Sequence, residues 1–338
     1  MNWYLQSGKD SDVVISSRVK LVRNLREFKF NLKDRNSIEK LENKIKDTLY
    51  AIGYNLKFFK LKDIDELTRI SLVEKNLITS DFALNKSDLG SILINDEENI
   101  CIMINDEDHL KLQVFSPGLD LENTLNLAIE IDNKIGKILG YATNKKYGYL
   151  TSNPNNCGTG LRASVLVHLP ALLETGNINQ IFDIVSKFEV NIKRTNSKIR
   201  ADENDMFLIT NKKTLGLTEN EITESIKIIA QKITEQERRI RKILAKNSIE
   251  LEDRIYRSYG VLTNCRKISL EEANKLLSYV KLGTDLGILN ELNDLKVQKL
   301  YLYIKPANMQ KYYGKVIDSN DKDIKRAEII KQIIKEKS

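Results

Sequence analysis

The sequence of 338 residues is short of several residue types, and each shortage narrows what the protein does. There are 3 cysteines, Cys101, Cys157 and Cys265, far apart and without a C-x-x-C pair. That argues against a disulfide framework or a cysteine zinc site and fits a reducing cytosol. The 2 histidines, His109 and His168, are too few for a histidine-rich metal centre and leave little scope for Ser-His-Asp or Cys-His catalysis. With 4 prolines and 15 glycines, collagen-like and low-complexity architectures drop out. No apolar run approaches the roughly 18 residues of a membrane helix, and the opening MNWYLQSGKDSDV has no signal-peptide pattern. These absences point to a soluble, cytoplasmic protein with no membrane partner and no resident metal. Also missing are the phosphate loop G-x-x-x-x-G-K-[ST], the dinucleotide fingerprint G-x-G-x-x-G and the nucleophile elbow G-x-S-x-G. Any phosphate chemistry must use scattered cationic side chains.

What is present is charge. Lysine and arginine number 54 against 47 acids, a net charge of +7, which permits nucleic-acid binding without demanding it. A lysine-solvated surface is the simpler reading, and no direct nucleic-acid partner is expected. Lysine far outnumbers arginine, a bias able to place lysine where related proteins carry arginine. Residues 91–94 and 100–104 are apolar runs around a polar tip and read as a β-hairpin; 206–209 reads as another strand. Residues 38–52 and 121–139 carry apolar residues at helical spacing. The class expected is α+β, a largely antiparallel sheet flanked by helices. After Leu217 the pattern turns helical. Capping boxes stand at 218–221 and 269–272, the second helix stopping at Gly283. The expected division is a mixed domain over 1–245 and a smaller helical domain over 246–338.

Three segments could carry chemistry. In SSRVKLVRN (16–24), Arg18 and Lys20 share one face if the segment is extended, which suits neighbouring phosphate oxygens; a solvated basic strand is the alternative. In INDEDHLK (104–111), three consecutive acids follow an apolar strand, as a plain hairpin tip or as a carboxylate presented to a cationic substrate. In TSNPNNCGTGLRASV (151–165), a loop rich in Asn and Gly leads into an apolar stretch and can expose backbone N–H groups and aim Arg162 into a cleft. His168, in an apolar setting, reads as a satisfied core histidine.

Together these segments resemble the phosphagen (ATP:guanido) kinase family, whose S-[ST]-R-[IV]-[RK]-x-x-R-[NS], N-[DE]-E-D-H-[LI]-[RK] and x-P-x-N-x-G-T-x-x-R-A-S-V motifs they match in order and spacing. Residues 149–152, 167–172 and 249–265 are similar to the branch of bacterial protein arginine kinases, and the resemblance runs from about Asp12 to about Ile330. It implies transfer of the γ-phosphoryl of ATP, bound with Mg²⁺, to arginine side chains of proteins, in stress response and protein quality control. It implies a homodimer, and as partners an activator protein, a Clp chaperone–protease and a heat-shock repressor. By the same resemblance Glu107 grips the guanidinium and acts as base. Ser16, Ser17, Arg18, Val19, Lys20, Lys111, Arg162, Ala163, Ser164, Val165, Leu166 and Lys193 fall on nucleotide-binding positions. Asp323, Arg326 and Ala327 fall on a regulatory phosphoarginine motif, R-D-x-x-R-A, with Lys322 in place of its first arginine.

The sequence also departs from the family. Lys20 and Lys111 stand where arginine is usual, keeping charge but losing the planar fork. Asn153 replaces a cysteine that assists the chemistry, with Cys157 four residues on. An ungapped reading places Lys198 where a second substrate-binding glutamate is expected, and both glycines of that segment are gone. These departures leave a second expectation open: a catalytically impaired member that binds ATP or phosphoarginine as an adaptor.

Overall fold

The computed structural model describes residues 2–85, 88–195, 205–246 and 248–336. Its centre is one eight-stranded sheet. In chain order the strands are β1 (Val14–Arg23), β2 (Lys57–Lys60), β3 (Ser91–Ile94), β4 (Ile100–Ile104), β5 (Leu110–Pro117), the short pair β6 (Thr143–Asn144) and β7 (Gly148–Tyr149), then β8 (Leu161–His168), β9 (Val190–Arg194) and β10 (Met206–Asn211). The sheet order is β2-β3-β4-β5-β1-β8-β10-β9, and every pairing is antiparallel. β3 and β4 form the hairpin expected from the two apolar runs, and the α+β class follows the expectation.

Alternation along the strands sends one set of side chains into a core beneath three helices: α1 (Arg35–Ala51), α4 (Leu121–Leu139) and α7 (Glu219–Leu244). Val19, Leu21, Leu112, Val114, Ala163, Val165 and Ile209 meet Leu41 and Ile45 of α1, Leu125, Ala128 and Ile131 of α4, and Ile222, Ile226 and Ile233 of α7. On the opposite face, α2 (Glu66–Glu74) and α3 (Ser80–Asn85) cover the β2–β5 half through Leu72 and Phe82, against Ile92, Met103 and Phe115. They leave the β1–β8–β10 half for polar side chains. Helix starts follow capping chemistry. Asp34 accepts from Ser37 N at the start of α1, and Thr218 with Glu221 closes a capping box on α7.

After two short helices, α5 (Pro170–Glu174) and α6 (Ile178–Ser186), and then α7, the chain is helical: α8 (Ser248–Asn264), α9 (Leu270–Asp285), α10 (Asp294–Tyr303), α11 (Pro306–Tyr313) and α12 (Lys322–Lys335). These five share a separate hydrophobic core, including Leu251, Ile255, Leu277, Leu300, Ile304 and Ile330. Gly283 does not end α9 as its residue type suggested. It lies inside the helix, where a Cβ would come within 2.4 Å of Ile255 Cγ2, so its role is close approach of α8 to α9. The helical part docks on the sheet part through α2: the Glu74 carboxylate accepts from Ala307 N and Asn308 N, both at 2.9 Å, capping α11. Among the described residues no helix is long and apolar enough to cross a membrane.

Candidate active site

The uncovered sheet face is set by strand register. Residues directly opposite on paired strands point to the same side. Lys20 lies between Gln113 of β5 and Arg162 of β8, and Arg18 between Phe115 and Ser164. Lys111 faces Val22, Ser16 faces Leu166, and Leu166 leads through Leu208 to Lys193 on β9. Arg18, Lys20, Lys111, Arg162, Ser164, Leu166 and Lys193, dispersed over 176 sequence positions (193 − 18 + 1), thus share one face with Ser16. The same alternation takes four expected ligand positions away from it. The side chains of Ser17, Val19, Ala163 and Val165 are fully buried on the helix-covered side. Ser17 Oγ donates to Gly118 O at 2.8 Å and accepts from Asp120 N at 2.9 Å, fastening the start of α4. Their side chains do not reach a ligand on the cationic face, because the period of a strand is two.

Besides the exposed Lys193, three cations set into the face have no carboxylate partner among the described residues: Arg18, Lys20 and Arg162. Arg18 Nε donates to Ser164 Oγ at 3.2 Å. Arg162 donates only to neutral acceptors: Nη1 to Asn211 O (2.7 Å) and Lys212 O (3.1 Å), Nη2 to Asn155 O (3.1 Å) and Nε to Asn156 Oδ1 (3.3 Å). Burial holds both guanidiniums below their ordinary range. Lys20 is pushed down to about 7 by burial and then by Lys111, Arg18 and Arg162. Lys111 differs, since its Nζ is paired with the Asp106 carboxylate. Unpaired, desolvated cations are costly to the fold, and such clusters concentrate at sites that receive an anion.

The acidic loop 105–109 joins β4 to β5 at the edge of this face, close enough for Asp106 to act on Lys20. Its three acids divide the work. Asp106 is spent on Lys111. Asp108, 1% exposed, accepts from Asn24 Nδ2 and from Ser152 N, each at 2.6 Å. Asn24 Oδ1 in turn accepts from His109 N at 2.9 Å. The loop is therefore pinned on both sides, and Glu107 between the pins is exposed, with no hydrogen bond or ion pair among the described residues. The bond to Ser152 also ties this loop to the segment 151–160. There Asn153 caps the turn Pro154–Asn156, accepting from Asn155 N at 3.0 Å, and Cys157 Sγ lies 3.5 Å from Thr151 Oγ1. The loop that carries Glu107 meets the cationic face through Asp106, and the segment holding Asn153 and Cys157 meets it through Asn155 and Asn156, which accept from Arg162.

Asn24, Asp108 and Arg23 position the site although residue type alone did not single them out. Arg23, 1% exposed, pairs with Asp132 at 2.7 Å, donates to Thr159 O at 2.9 Å and stacks 3.5 Å from the Tyr149 ring centre. It supports the chain just before Arg162. The signal was adjacency, because all three lie inside or beside the quoted segments. A cavity of about 420 Å³ opens elsewhere, between Tyr149, Gly158, Thr214 and Leu217; its lining has two glutamates and no cation, so it does not suit a polyphosphate.

The family model for the ATP:guanido phosphotransferase C-terminal catalytic domain matches residues 37–240, and that for the protein-arginine kinase McsB C-terminal domain matches 248–338. The chain belongs to the ATP:guanido phosphotransferase family. It is 41% identical over 333 residues to the protein-arginine kinase of Halothermothrix orenii, covering 98% of this chain and 95% of that one. It is 37% identical over 338 residues to the protein-arginine kinase of Bacillus subtilis, covering 98% and 92%. Among solved structures it is similar to the duplicated taurocyamine kinase of Schistosoma mansoni with bound transition state analog components, with a TM-score of 0.61 and 25% identity. That match covers 74% of this chain and 38% of the duplicated one, so this chain spans well under half of that protein.

Two further expectations from the guanido phosphotransferase resemblance meet the structure differently. Lys198 lies outside the described residues; before it, Lys193 is exposed and Arg194 pairs with Asp205 at 3.1 Å. In the C-terminal motif Arg326 is 1% exposed, its guanidinium donating to Ile304 O (2.9 Å), Ile268 O (2.8 Å) and Asp323 Oδ1 (2.5 Å). Ala327 is fully buried in the helical core. Arg326 and Ala327 therefore hold the fold together, and the motif presents Lys322 and the half-exposed Asp323 at the start of α12.

Proposed function

We propose that the chain is an ATP-dependent protein-arginine kinase, with Arg18, Lys20 and Arg162 as its phosphate cradle and Glu107 as its base. One observation supports the reading: the pinned loop whose Asp106 acts on Lys20 also carries Glu107, and among the described residues neither Glu107 nor Arg18, Lys20 and Arg162 has a partner of opposite charge. The nucleotide's phosphates lie along the cradle, with Ser164 and Lys193 on the same face and half-buried Leu166 available to the base. Among the described residues no group of three or more metal-ligating side chains is present, and Mg²⁺ enters as part of the Mg·ATP substrate.

Glu107 orients the guanidinium of a protein arginine and accepts its proton as the N–P bond forms and the bond from the γ-phosphorus to the bridging oxygen of ADP breaks. The cradle stabilises charge on the moving phosphoryl and the departing ADP. The proposed division of labour is a catalytic unit over 1–245 and a helical unit over 246–338. Asp323, beside Lys322, is the part of the C-terminal motif open to a phosphoarginine. Stress-response action in the cytoplasm, as a homodimer with an activator, a Clp chaperone–protease and a heat-shock repressor, completes the proposal.

One feature favours a second reading. Asn153 supplies no thiolate, and its amide is committed to a turn. A cradle that binds ATP without efficient transfer would make the chain an adaptor. The deciding experiment is incubation with Mg·ATP and an arginine-rich protein. The kinase reading expects acid-labile phosphoarginine, lost by about a hundredfold or more in Glu107→Ala. Nucleotide binding with no transfer above background would select the adaptor.

A further inference from the structure

The cations of the cradle are not equivalent. Lys111 has a carboxylate of its own. Arg18 and Arg162 are guanidiniums, which keep their charge in almost any surroundings. Lys20 is the amine among the unpaired three, and its Nζ has no hydrogen bond or ion pair among the described residues. Facing it are Arg18 two positions along β1, Arg162 directly across on β8, Lys111 from β5 and Asp106 from the acidic loop. Its other cross-strand neighbour, Gln113, is neutral. Glu107 extends from the same loop as Asp106, and Lys193 stands further along the same face. Three positive groups thus oppose one carboxylate that is already bonded to Lys111. Burial first, and these cations second, bring the amine down to about 7. An arginine here could not respond to that pressure, whereas a lysine sheds its proton.

We propose that Lys20 is a proton-linked phosphate ligand, an amine whose cationic neighbours oppose its charge in the empty cradle and which takes up a proton as the nucleotide's phosphates arrive. This rests on the reading of the face as the nucleotide site. The phosphates reverse the field that deprotonates the amine, so the charged form is favoured once they are bound. The linkage is reciprocal: nucleotide promotes protonation, and protonation tightens nucleotide. The sign follows from the depressed value in the free protein. Below about pH 7 Lys20 is already charged and exerts no further leverage. Above it, affinity falls with rising pH until the bound amine itself titrates, so the dissociation constant rises severalfold between pH 7 and pH 8.

The test is calorimetric titration of the full-length protein with Mg·ADP at pH 8, in buffers of different ionisation enthalpy. The result expected is uptake of roughly half a proton or more per nucleotide, falling to near zero in Lys20→Arg, whose affinity no longer changes between pH 7 and pH 8. Lys20→Met separates charge from titration and is expected to bind more weakly without uptake. Binding without proton uptake in the unmodified protein, or uptake that persists in Lys20→Arg or Lys20→Met, would overturn the inference while leaving the nucleotide site intact. Failure of Mg·ADP to bind at all would overturn both.

Discussion

Buried charge is handled in opposite ways in two regions of this protein. Where the helical part meets the sheet part, Arg241 donates to Glu237 at 2.8 Å and to Asp285 at 3.1 Å, and Lys281 donates to Asp285 at 3.0 Å. Glu237, fully buried, also takes the N–H groups of Ala171 and Leu172, and Arg241 reaches the His168 carbonyl at 3.2 Å. Each of these charges has an opposite charge in contact. On the open sheet face, Arg18, Lys20 and Arg162 have none among the described residues. Pairing at the joint holds two hydrophobic cores in register. Its absence on the face leaves attraction in reserve for a polyanion, at a cost the fold must carry elsewhere.

The contrast predicts which substitutions harm folding and which harm binding. At the joint, Glu237→Ala takes one of its two carboxylates from buried Arg241 and leaves the N–H groups of Ala171 and Leu172 without their acceptor, and chemical denaturation is expected to register a loss of about 3–5 kcal/mol. Arg326→Ala leaves two buried carbonyls without donors and is expected to cost about 2–4 kcal/mol by the same measurement. On the face, Arg18→Met is expected to weaken Mg·ADP binding about tenfold or more, while stability stays level or rises by up to about 1 kcal/mol. A large stability loss in Arg18→Met would erase the distinction between the regions. Smallest of all, Asp323→Asn at the half-exposed start of α12 is expected to move stability by no more than about 0.5 kcal/mol.

Much of this was legible from the amino acids, for identifiable reasons. The β3–β4 hairpin, α1 and α4 carry hydrophobic periods that survive any tertiary context, and the three motifs located the face and the acidic loop. Alternation within β1 already separates Arg18 and Lys20 from Ser17 and Val19, so the side chains that miss the face could have been set aside by counting in twos. Which of the acids at 106, 107 and 108 is free could not be read, because Asp108 is claimed by Asn24 and Ser152, 84 and 44 residues away. The internal position of Gly283 and the burial of Arg326 are of the same kind. Each depends on a neighbour, Ile255 or the carbonyls of Ile268 and Ile304, that is remote in the chain.

The most direct test is a crystal structure of the protein with Mg·ADP, nitrate and an arginine-containing peptide, a mimic of the transferring state. The account predicts phosphate oxygens within hydrogen-bond distance of Arg18, Lys20 and Arg162, with the peptide guanidinium against the Glu107 carboxylate. A nucleotide seated elsewhere, with Glu107 turned away from the guanidinium, would contradict it.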